Sequence, residues 1–172
     1  MKALIQKFGT ISVAIIFGVN LLTLAFIGTD GETFGVGEVI GYATILIAEL
    51  FILAAIAQYK KQNGGMISFG QSLKLGTGIA ALGGFAFGIY NAIYVLWIDP
   101  LFNERYFAYS MNLDLDSPGF AEQYAAFVAE QGIFLSVPFQ SFLMFMTVFL
   151  IGFVISVIGA LAFQSKGKVT ST

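Results

Sequence analysis

The 172-residue chain has no cysteine, no histidine, only three prolines and only 10% charged residues. Without cysteine there is no disulfide, thiol nucleophile or thiolate metal site, and without histidine no imidazole-based triad or Cys/His zinc centre. A soluble domain of average composition carries about 25% charged residues, so the scarcity of charge excludes an ordinary soluble globule and a disordered chain. Eight Lys and Arg against ten Asp and Glu give a net charge of −2. That balance supplies no basic patch and excludes a nucleic-acid partner. What is present instead is apolar: 58% of the residues are hydrophobic and 16% aromatic. Together these describe an integral membrane protein whose main partner is the lipid bilayer.

The spans lie where charges are missing. Residues 8–29 and 75–98 are uncharged, residues 131–165 are uncharged, and residues 39–59 are broken once, by Glu49. A helix needs about 20 mainly apolar residues to cross a hydrocarbon core of about 30 Å. The expected transmembrane helices are therefore 8–28, 37–58, 71–97 and 136–163. A β-barrel would show alternating segments, not a continuous apolar run such as Phe142 to Phe163. The expected fold class is an all-α membrane protein, one integral domain over residues 1–172, with an external helical cap over 99–135. The first stretch is too long for a signal-peptide core and no A-x-A site follows it, so it is expected to remain as a helix.

Charge also orients the chain. Lys2, Lys7, Lys60, Lys61, Lys74, Lys166 and Lys168 fall on one side of the expected spans, and only Arg105 falls on the other. The positive-inside rule makes the lysine side cytoplasmic, with both termini there. Nine acids fall outside: Asp30, Glu32, Glu38, Asp99, Glu104, Asp114, Asp116, Glu122 and Glu130.

Local signals mark the connections. Residues 28–35 are short and glycine-rich and read as an antiparallel turn. Asn63-Gly64-Gly65 is a turn signal, and Ser68-Phe69-Gly70-Gln71 fits a capping box that starts the third helix at Phe69. Between the third and fourth spans, Phe102, Tyr106, Tyr109 and Leu113 share one helical face, and Phe120, Tyr124, Phe127 and Val128 repeat the pattern. Two short amphipathic helices are expected there, the second with Ser117 as N-cap and Pro118 at its first position. Tyr90, Tyr94 and Trp97 are expected to form an interfacial aromatic belt.

The segment from Asn63 to Gly76, with Gly64-Gly65-Met66-Ile67-Ser68-Phe69-Gly70 at its centre, resembles a bacterial membrane family called domain of unknown function 4199. Gly41-Tyr42-Ala43 and Asp99-Pro100-Leu101-Phe102 also look like family positions. The resemblance, to a family seen mainly in Bacteroidota, implies four spans, a charged helical insert between the third and fourth, and a bacterial membrane. It implies no activity.

One charge is unexplained by topology. Glu49 falls at a helix centre, where a charged side chain costs about 2.5–3.5 kcal/mol on insertion scales and often marks an ion or proton path. Asn20 is expected at a similar depth, as its hydrogen-bond partner, with Asn91 and Gln140 extending a polar line outward. Small residues recur at Gly76, Ala80, Gly84, Gly88 and Ala92, and again at Gly152, Ser156 and Ala160. Such stripes let helices approach closely, either within one chain or in a homo-oligomer or with a membrane partner. Letter matches to a dinucleotide fingerprint at Gly76 and to a calcium loop at Asp114 fail on context, so no cofactor, metal ion or catalytic residue is expected. The expectation is a non-enzymatic accessory or interaction protein of the bacterial inner membrane. The alternative is a small proton- or ion-linked transporter using Glu49.

Overall fold

The computed structural model describes residues 1–28 and 33–165. Most of the glycine-rich turn, with Asp30 and Glu32, lies outside the described residues, as do Lys166 and Lys168. Four helices are long and apolar enough to cross a membrane: α1 (Lys2–Phe26), α2 (Phe34–Gln62), α3 (Phe69–Ile93, continued by a π-helical turn Tyr94–Ile98) and α6 (Val137–Phe163). Two short helices, α4 (Phe102–Met111) and α5 (Phe120–Gln131), stand between α3 and α6. All four expected long apolar helices are found, but α1 and α2 run past the apolar windows to include Lys2, Lys7, Lys60 and Lys61. Backbone hydrogen bonding continues through a lysine whose long stem lets the ammonium reach the membrane surface.

The helices close into a four-membered ring in which α1 adjoins α2 and α3, α6 adjoins the same two, and α3 packs most extensively on α6. The α3–α6 seam is the meeting of the two small-residue stripes. A Cβ on Gly76 would overlap Ser156, and one on Gly152 would lie 2.5 Å from the Ala80 Cβ. At Gly84 and Gly88 the neighbours include backbone: the Phe145 carbonyl oxygen at 2.9 Å and the Ser141 carbonyl oxygen at 2.8 Å from the missing Cβ. Without glycine these two helices could not approach so closely.

At one end, α2 stops at the Asn63 cap and the chain turns through Gly64 and Gly65, both at positive φ. The Ser68 hydroxyl then accepts from the Gln71 N–H while the Gln71 side chain accepts from the Ser68 N–H, the expected capping box. Lys60 donates to the Phe163 carbonyl at 2.9 Å, and Ser165 exchanges hydrogen bonds with Ile67, which ties the end of α6 to this turn.

At the other end the local expectations need correction. Ser117 does not cap α5. Ser117-Pro118-Gly119-Phe120 forms a turn with Gly119 at φ 86°, ψ 0°, and the helix begins only at Phe120. Proline at the second position and glycine in the left-handed third position are the signature of a type II turn, which no helix can include. Leu113 leaves the face of Phe102, Tyr106 and Tyr109, because α4 ends at Met111 and Asn112 turns left-handed. The three remaining rings surround Phe34 of α2, with centroids 5.5–5.7 Å from it. Phe107, on a second face of α4, holds α5 through Phe120, Tyr124 and Phe127, and Val128 stays exposed. Nor do Tyr90 and Tyr94 form a belt with Trp97. Tyr90 is buried against Phe17 and Phe87, Tyr94 is half-buried, and Trp97 alone is 73% exposed.

Candidate functional site

Two polar features occupy the bundle at different depths. The first is Glu49, fully buried where all four long helices converge. Ser12 of α1 donates to its Oε1 at 2.8 Å. Gly83 of α3 and Gly152 of α6 make the room: a Cβ on Gly83 would stand 2.6 Å from Oε1, and one on Gly152 would stand 2.5 Å from Oε2. Among the described residues Oε2 has no hydrogen-bond partner. The carboxyl is thus a peg between helices, its space cut by two glycines, and Ser12, Glu49, Gly83 and Gly152 each come from a different helix.

Asn20 does not join it. Its amide donates to the Ile16 carbonyl one turn back in α1, at 2.8 Å. Ser12 and Asn20 are eight residues apart, about 12 Å along a helix, so only Ser12 lies at the depth of Glu49. A sequence reading weighted toward amides overlooks Ser12, because a serine in an apolar run ordinarily satisfies itself on its own helix, as Ser156 does by donating to Gly152.

The second feature is a cavity of about 740 Å³ between the bundle and the α4–α5 pair. Asn20, Asn91 and Gln140 all line it, whereas Glu49 does not. The structure therefore brings three of the four polar residues together and separates the fourth. Gln140 donates to Asn103 of α4 at 2.9 Å, linking α6 to the cap, and Asn91 lies 3.3 Å from the Ser141 hydroxyl. The lining is largely apolar and aromatic, with Ile45 and Tyr90 of the bundle and Phe107 of the cap buried. At its edge stand Glu38 and Tyr42 of α2 and Tyr106 of α4, all exposed, with the Tyr106 hydroxyl donating to Glu38 at 3.0 Å. Burial, and then the bond to Glu38, push the Tyr106 phenol above its ordinary range, so it remains a donor at neutral pH. Among the described residues no three His, Cys, Asp or Glu side chains are grouped as metal ligands.

The family described as Protein of unknown function (DUF4199) matches residues 7–165. The chain belongs to this family. No curated protein and no solved structure matches it. The family match takes in the Glu49 junction, the cavity and the cap, so the geometry of this member is the available guide to its function.

Its cap is hinged on a pair that charge counting misses. Asp99 is 1% exposed and forms an ion pair with Arg105, whose side chain is 24% exposed. The π-helical turn ends with the Asp99 N–H donating to the Tyr94 carbonyl at 2.8 Å, and the Tyr94 hydroxyl approaches Asp99 at 3.5 Å. Asp99-Pro100-Leu101-Phe102 then forms a turn, closed by the Phe102 N–H on the Asp99 carbonyl at 3.1 Å. That turn folds α4 back and brings Arg105 to the carboxylate six residues before it. The available sequence signal was Pro100 directly after an acid at the end of a span, with one arginine shortly downstream.

Proposed function

We propose that this chain is a non-enzymatic accessory protein of the bacterial cytoplasmic membrane, with both termini cytoplasmic and the α4–α5 cap outside. The observation that carries the reading is the enclosure of Glu49. An acid that relays protons or ions must meet water along a path, whereas Glu49 has no exposed surface and fills a slot between Gly83 and Gly152 under the Ser12 hydroxyl. Interhelical hydrogen bonds of this kind contribute about 0.6 kcal/mol on average in a membrane. The acid therefore serves register, fixing four helices at one depth. The small-residue stripe at Gly76, Ala80, Gly84 and Gly88 is taken up by α6 of the same chain, so the stripe is not the partner surface, and the cap with its cavity takes that role in this reading.

Reconstituted vesicles test this directly. Proton and monovalent-cation flux driven by an imposed gradient should equal that of protein-free vesicles, for both the wild type and Glu49→Gln. Flux in the wild type that Glu49→Gln abolishes would establish transport and end the accessory reading.

Orientation has its own test. The chain has no native cysteine, so Asp114→Cys and Lys61→Cys each carry a single label. In intact spheroplasts a membrane-impermeant maleimide should modify Asp114→Cys and leave Lys61→Cys unmodified until the cells are broken. The reverse pattern would invert the proposed topology.

A further inference from the structure

We propose that the cavity beneath the cap is a binding site for an amphiphilic organic cation, its apolar body on the aromatic lining and its cationic group at Glu38 between Tyr42 and Tyr106. The volume, about 740 Å³, lies within the range of small-molecule sites. Charge then selects the class. Among the described residues lining the cavity, Glu38 is the only formally charged one. No Lys or Arg occurs anywhere between Lys7 and Lys60, and Arg105 is engaged by the buried Asp99. An anionic ligand would find no counter-charge here and would meet a carboxylate. A cation finds that carboxylate, together with tyrosine rings whose faces carry negative potential. Asn20, Asn91 and Gln140 offer amide groups along the walls for a polar substituent on the same molecule. The inference goes beyond the accessory reading and does not depend on it, since binding is measured without a gradient.

Two glycines allow a clean test. Gly37 and Gly41 of α2 both line the cavity, and a Cβ on either would meet nothing within 4 Å. Gly41→Phe and, as a second block, Gly37→Leu should fill the space without disturbing the helix packing. The probes are tetraphenylphosphonium and tetraphenylborate, ions of one shape and opposite charge. Binding is measured by equilibrium dialysis of the full-length protein in maltoside micelles against protein-free micelles. The expected result is saturable binding of one tetraphenylphosphonium per chain, with tetraphenylborate weaker by about tenfold or more. Glu38→Gln should weaken the phosphonium by about fivefold and leave the borate no weaker. Both glycine variants should abolish phosphonium binding while keeping the wild-type melting temperature. Equal binding of the two ions, uptake no greater than by empty micelles, phosphonium binding that survives both glycine variants, or indifference to Glu38→Gln would each overturn the proposal. A glycine variant that melts early is replaced by the other.

Discussion

Gly84→Val should destabilise the bundle by about 3 kcal/mol, toward the upper end of what overpacking a close-packed interior costs. The reason is what the new side chain meets. The missing Cβ of Gly84 stands 2.9 Å from the Phe145 carbonyl oxygen and 2.8 Å from the Phe145 ring. A ring can turn, but a helical carbonyl cannot move without its whole helix, so α6 must retreat from α3 along the longest seam in the molecule. Gly88→Val meets the Ser141 carbonyl at 2.8 Å and should behave alike. Gly41→Ala provides the contrast within the same protein. Its Cβ enters open space, and helix propensity then favours alanine by up to about 1 kcal/mol. Thermal unfolding in detergent, followed by circular dichroism, should show a large drop in melting temperature for Gly84→Val and none for Gly41→Ala. Equal melting of Gly84→Val and wild type would mean that the α3–α6 contact is not the close approach described.

Arg105→Met should cost about 2–3 kcal/mol, somewhat below the usual loss on breaking a buried ion pair because Arg105 retains partial access to water. Asp99 has none to speak of, at 1% exposure. Deleting the guanidinium therefore strands a carboxylate whose remaining side-chain partner among the described residues is the Tyr94 hydroxyl, at 3.5 Å. Asp99→Asn should cost less, because the arginine left behind can reach solvent along its own stem. The double variant Asp99→Asn/Arg105→Met should recover most of the loss, since no charge is then stranded. The ordering of the three melting temperatures is the test, and a double variant no better than Arg105→Met would show that the pair does not hinge the cap.

These two effects differ in how far they could be anticipated. The stripes of small residues are periodic and could be read directly as surfaces for close approach. Only the packed helices identify α6 as the partner of α3 and the carbonyls of Phe145 and Ser141 as the contacts. Asp99 and Arg105 look like two ordinary members of a charged loop. Their pairing depends on a π-helical turn and a proline turn acting in succession, and one residue of difference in either would aim the carboxylate elsewhere. Glu49 is similar: an acid in an apolar run announces itself, but its partner is chosen by the rotation of α1. That rotation presents Ser12 to the carboxyl and turns Asn20 toward the cavity.

The sequence by itself determined the all-helical class, the four long apolar helices and the capping box that starts α3. Hydrocarbon thickness dictates the length of an apolar run, and a cap such as Ser68 to Gln71 is complete within four residues. Tertiary structure alone decided which side chains meet: Ser12 with Glu49, Asp99 with Arg105, and three amides around one cavity. The physical reason is that an apolar helix in lipid is uniform around its circumference. The composition of α6 leaves its rotation open, and the fit of Gly84 and Gly88 of α3 against its backbone settles it.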